Sequence, residues 1–243
     1  MNSMSSVLSS HSGPVFDLDQ PFPALRRLLG ADGFGLLSGL AAAHSAAQGV
    51  PAQSCTGVAP HAFFHGLIVH GDVPAPDGVP VRLLADVAAV EAAIAEVSAQ
   101  APDAQHEPRL AESALTALSA EARDAASLRP TRALRLLPVA YRVAGWLRDV
   151  HLGRDPRPPR RGDQHVAVYA LPAVRHDGGM PVTWWHGLPP AEGRLLARAT
   201  LGMPLGELRA AAIDQGWITD GESLDAWLAG WVREGLFAEI VAG

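Results

Sequence analysis

Apolar residues recur at three- and four-residue steps along most of this chain, and the places where that rhythm fails divide it into segments. Phe22, Leu25, Leu28 and Leu29 share one helical face, and Gly30 can close that helix because glycine reaches positive φ without a steric cost. A second helix over 32–44 carries Phe34, Leu36, Leu37 and Leu40. Residues 48–80 collect proline and glycine and read as loop, with one short helix at 60–68 and an irregular connection over 72–80. The clearest helix covers 81–100, where Leu84, Val87, Ala88, Glu91, Ile94 and Val97 form one stripe. Another is expected at 107–118. The arginine-rich segment 130–147 is interrupted by Pro138, which cannot donate a helical hydrogen bond. It divides a strand-like stretch at 131–137 from a helix at 139–150.

Past residue 162 the pattern changes. Two β-prone runs, 165–171 and 180–185, flank the turn-forming residues Arg175, His176, Asp177, Gly178 and Gly179 and read as a hairpin. Three helical segments follow, at 190–200, 204–215 and 222–234, and then a terminal apolar turn. In the third, Leu224, Trp227, Leu228 and Trp231 make a core stripe, whereas Trp184 and Trp185 must point to opposite faces of their strand. Strands followed by three short helices describe a small winged helix, a fold that grips nucleic acid or takes an extended peptide onto its exposed strand. The run of glycine, arginine and proline at 153–162 places a linker before it. The expected architecture is mainly α: a Ser-rich disordered tail (1–20), a helical domain (21–152), the linker (153–162) and a winged-helix α+β domain (163–243).

Charge and composition narrow the function. The 243 residues are 48% hydrophobic and 18% charged with a net charge of −6, ordinary globular chemistry without the basic stripe of a nucleic-acid binder. The last helices set Glu207, Asp214, Glu222, Asp225 and Glu234 against Arg209, Gln215 and Arg233, which would place carboxylates beside phosphates. No apolar run is long enough to span a bilayer, and the N-terminus lacks the basic flank and apolar core of a signal peptide, so a cytoplasmic location is expected. His61, His65 and His70 have helix-like spacing but no carboxylate or thiol beside them, so no metal is expected there. The single cysteine, Cys55, excludes a disulfide framework and has no basic neighbour in sequence to activate it. Arg148, Arg154, Arg157, Arg160 and Arg161 sit among prolines without aromatics to stack on bases, a solvated linker that could also hold an acidic peptide segment.

Five segments carry a resemblance: 22–30 (FPALRRLLG), 84–91 (LADVAAVE), 128–139 (LRPTRALRLLPV), 195–208 with its Leu-Gly-Met-Pro-Leu turn, and 231–236 (WVREGL). In content and order they resemble the family of companion proteins, labelled as a DNA-binding domain, of TIM-barrel multinuclear-iron enzymes in ribosomally made, modified peptide pathways. The resemblance spans most of 21–240. It implies a helical domain joined to a peptide-recognition winged helix that binds the leader of a precursor peptide. It also implies a heterodimer in which the partner enzyme holds the iron and oxidises a cysteine of the peptide, as in methanobactin-type or cysteine-carbon-excising pathways. No cofactor is expected in this chain.

The leading expectation is therefore a non-catalytic adaptor. Leader binding is expected at the hairpin edge, Val182, Thr183, Trp184 and Trp185, with Asp225, Leu228 and Val232 of the third helix as the opposite wall of a groove. The rival readings are a winged-helix DNA-binding regulator and an enzyme built on His61, His65 and His70.

Overall fold

Pro23 opens the first helix, where its missing N–H leaves nothing unpaired and its restricted φ suits the first turn. In the computed structural model, residues 22–47, 68, 75–104, 106–171, 182–218 and 221–242 are described. The N-terminal tail, Cys55, His61, His65, His70 and the hairpin turn at 175–179 lie outside the described residues. Helix α1 (Pro23–Ala47) breaks at Gly30, whose φ of 70° and ψ of 178° separate two helical stretches at the expected place. Its first N–H groups are satisfied from a distance. Helix α2 (Val81–Ala104) brings the buried Glu91 carboxylate against them, accepting from Ala24 at 2.8 Å and Leu25 at 2.9 Å. A charge among the stripe residues thus faces the positive end of a helix dipole.

Two small helices follow, α3 (Glu112–Thr116) and α4 (Ala120–Ala125). The helix expected over 107–118 shrinks to α3. Pro108 disfavours helical geometry at Glu107, and this backbone is tied elsewhere: Leu110 N–H donates to the Phe237 carbonyl at 3.0 Å. The Glu107 carboxylate accepts from the Arg132 N–H at 2.9 Å.

The remaining elements are β1 (Ser127–Pro130), β2 (Arg135–Tyr141), α5 (Val143–His151), β3 (Arg161–Leu171), β4 (Val182–Leu188), α6 (Pro190–Thr200), α7 (Leu205–Asp214), α8 (Gly221–Glu234) and β5 (Phe237–Val241). They make an α+β mixture with two antiparallel sheets, β1–β5 and β2–β3–β4. The three C-terminal helices fall where the sequence pattern puts them. Two expectations are corrected. Strand β2 continues through Pro138 to Tyr141, so α5 starts at Val143 rather than 139. An edge strand accepts proline when its nitrogen faces away from the ladder. At the irregularity between Val139 and Tyr141 the buried Asp86 carboxylate accepts from Ala140 N–H at 2.7 Å and Tyr141 N–H at 3.1 Å. The expected terminal turn is instead β5, whose Ile240 pairs with Leu128.

The central sheet carries a core on each face. Val166, Val168, Ala170 and Trp185 join α1, α2 and α5 in one cluster. Ala167, Tyr169 and Leu188 join α6, α7, α8 and β5 in the other, with Trp184 packed against it. Because β2 precedes the expected linker and β3 follows it, the two expected domains share this sheet. The 153–160 segment is neither α-helix nor strand but is pinned: Arg27 pairs with Asp155, Arg154 with Asp149 at 2.8 Å, and Arg142 N–H donates to the Arg160 carbonyl at 3.0 Å. Among the described residues no helix is long and apolar enough to cross a membrane.

Candidate functional site

Strand alternation decides what β4 can offer. Thr183 is buried, with its hydroxyl 2.7 Å from that of Ser98 on α2. Trp185 is buried on the same face: its indole N–H donates to the Ala144 carbonyl at 3.2 Å, and its ring meets His151 edge-on at 5.3 Å between centroids. Val182 and Trp184 are half-buried on the opposite face. β4 ends the sheet order, pairing with β3 from Val182↔Leu171 to Leu188↔His165 and with no other described strand. The four β4 residues expected to bind a leader therefore lie on a sheet edge, while Thr183 and Trp185 are buried on one face and Trp184 packs against the core on the other.

The helix residues lie elsewhere. Leu228 and Val232 are buried in the second core, so they hold α8 in place and do not line an open groove. Asp225 accepts from Arg123 at 2.7 Å and lies 3.6 Å from Arg209, which itself reaches Asp124 at 2.5 Å. That network ties α8 to α4 and α7, away from β4.

What joins β4 to α8 is His186, whose Nε2 lies 3.7 Å from a Glu234 carboxylate oxygen. Its Nδ1 is 3.5 Å from the Tyr169 hydroxyl on β3, with the two rings edge-on. Glu192, in the first turn of α6, accepts from the Trp231 indole N–H at 3.1 Å. Burial pushes the Glu192 carboxyl above its ordinary range, against the pull of the Trp231 hydrogen bond and the His186 charge. Burial also raises Glu234, against a hydrogen bond from Tyr169 and the charge of Arg233. His186 is lowered by burial, opposed by Glu192. The arrangement can hold or relay a proton beside the strand edge. Sequence reasoning missed it because its members come from β3, β4, α6 and α8. The available signal was a histidine directly after the paired tryptophans.

No protein-family model matches the chain, and no curated protein matches it as a relative.

The geometry of this region depends on close approach. A Cβ at Gly193 would stand 2.3–2.4 Å from His165 side-chain atoms, so a side chain there would wedge α6 off β3. His165 is lowered by burial and by the neighbouring Arg194 charge. Among the described residues no group of three or more His, Cys, Asp or Glu is arranged to hold a metal ion.

Proposed function

We propose that this chain is a non-catalytic adaptor that takes an extended segment of a ribosomally made precursor peptide along the outer edge of β4. In this reading β2–β3–β4 with α6, α7 and α8 form a winged-helix peptide-recognition module. The α1, α2 and α5 layer forms the body that meets a TIM-barrel multinuclear-iron enzyme in the cytoplasm. The partner carries the iron and the oxidation; the adaptor positions a cysteine of the bound peptide.

The observation that carries the reading is the place of β4, last in the sheet with a core against each face. Among the described residues nothing pairs with its outer edge, and the backbone N–H and C=O groups of such an edge are what an added strand completes. The acidic balance of the chain and of α7 and α8 supports a peptide over duplex DNA.

Titration with a labelled precursor peptide from a gene neighbouring this one tests it, read by anisotropy and by hydrogen exchange. Binding is expected to slow exchange of the amides of 182–188, and duplex DNA is expected to bind weakly and release with salt. Hydrogen exchange is the better reporter because Thr183→Pro would also break the buried Ser98 contact. Protection elsewhere, or tight sequence-selective DNA binding without peptide binding, would overturn the assignment.

A further inference from the structure

All 19 basic residues of this chain are arginines, and six of them fall within 142–161, against Asp149 and Asp155 alone. That is a local excess of four positive charges on a chain of net charge −6, so the remainder carries a net −10. Both aspartates are engaged, Asp149 with Arg154 and Asp155 with Arg27. Arg142, Arg148, Arg157, Arg160 and Arg161 are exposed, and among the described residues none of them meets an acidic partner. These five arginines fall within one continuous stretch of twenty residues, 142–161.

Pro156 and Pro159 are half-buried, whereas Arg157, Pro158, Arg160 and Arg161 are exposed. A burial repeat of three in a proline-rich segment matches a polyproline helix, which has three residues per turn. Arg157 and Arg160 then lie on the same side, about 9 Å apart along the axis. The strap is anchored at both ends, through Arg27 to Asp155 and the Arg154 carbonyl, and through Arg142 N–H to the Arg160 carbonyl. Arg142 lies over Gly162, where a Cβ would come within 2.9 Å of its Nε. Proline restricts the backbone before any ligand arrives, so little ordering cost remains for binding.

We propose that the 154–161 strap, with Arg142 and Arg148 beside it, is a docking site for a carboxylate-rich polypeptide segment. Guanidinium groups match carboxylates in paired, planar geometry. The occupant is a short acidic peptide rather than nucleic acid. Residues 154–161 hold no aromatic side chain on which nucleic-acid bases could stack. The strap runs into β3 at Arg161, which pairs with Tyr141 of β2 rather than with β4, and its use does not depend on the function proposed above.

The full chain is titrated with labelled decaglutamate and with labelled oligothymidylate of the same length, at low and at physiological salt. Decaglutamate is expected to bind more tightly than oligothymidylate and to weaken with salt. The triple substitution Arg157→Ala, Arg160→Ala and Arg161→Ala should raise its dissociation constant roughly tenfold, about twofold for each exposed pair. These side chains are exposed, and unchanged circular dichroism and thermal unfolding will show that the fold is kept. Arg132→Ala, an exposed arginine beyond the opposite end of β2, should leave the affinity unchanged. No decaglutamate binding at low salt, equal loss in the Arg132 variant, no loss in the triple variant, or tighter binding of oligothymidylate would each overturn the proposal.

Discussion

His186 and Glu234 meet across β4 and α8 where burial works against charge on both, and this makes stability depend on pH in two opposed ways. The Glu234 carboxyl titrates above its ordinary value of 4.5, so the folded chain holds its proton longer than the unfolded chain. Its contribution is present at low pH and is lost as pH rises from about 4.5 through the raised folded value. His186 titrates below 6.5, so the unfolded chain binds its proton first, and stability falls as pH drops below about 6.5. Glu234→Gln keeps an acceptor for the Tyr169 hydroxyl and removes the charge. Its melting temperature should exceed that of the wild-type chain by more at about pH 8 than at about pH 4, because only at high pH does the carboxylate carry its burial penalty. Thermal unfolding of the two proteins across this range checks the sign. An equal difference at both ends would show that Glu234 ionises at no cost.

At the scale of elements, the contact that sets the hairpin against the C-terminal helices is the approach of α6 to β3 at Gly193. The atoms a new Cβ would meet are Cβ, Cγ and Nδ1 of His165, the root of that side chain rather than its far end. Gly193→Ala is therefore expected to destabilise the fold by about 1–3 kcal/mol, the usual cost of overpacking. Urea unfolding measures it; a loss under about 0.5 kcal/mol would mean that His165 swings aside. Asp86 shows the same dependence of one element on another. Arg82, one turn earlier on α2, lies 3.0 Å from it, yet burial still raises its carboxyl while it holds two N–H groups at the end of β2.

At the scale of the molecule, strand pairing ties the first half of the chain to the second. β2 supplies the partner of β3, and β1 supplies the partner of β5. A fragment covering 163–243 would leave one side of β3 and the whole of β5 unpaired, and would expose the face that Val166, Val168 and Trp185 present to α2 and α5. Expressed alone, it is expected to lack a cooperative thermal transition, while the full chain unfolds with one. A cooperative transition in the fragment, followed by circular dichroism, would show that β1 and β2 are dispensable to it.

Local information sufficed wherever an element carries its own period or punctuation. The stripe from Leu84 to Val97, the break at Gly30, the hairpin strands and the three C-terminal helices were legible because each depends on residues a few positions apart. The opposite facing of Trp184 and Trp185 followed from strand alternation alone. The short strands β1 and β5 were not legible, since each acquires strand character from a partner more than a hundred residues away. Pro138 misled for a related reason: only the sheet order reveals that β2 is an edge where proline is tolerated. Tertiary structure alone brought Leu228 and Val232 into the core, set Glu91 on a distant helix end, and gathered His186, Glu192 and Glu234 at one place. Periodicity records which face of an element is apolar, whereas which elements meet, and which charges then share a partly buried space, is settled by packing over the whole chain.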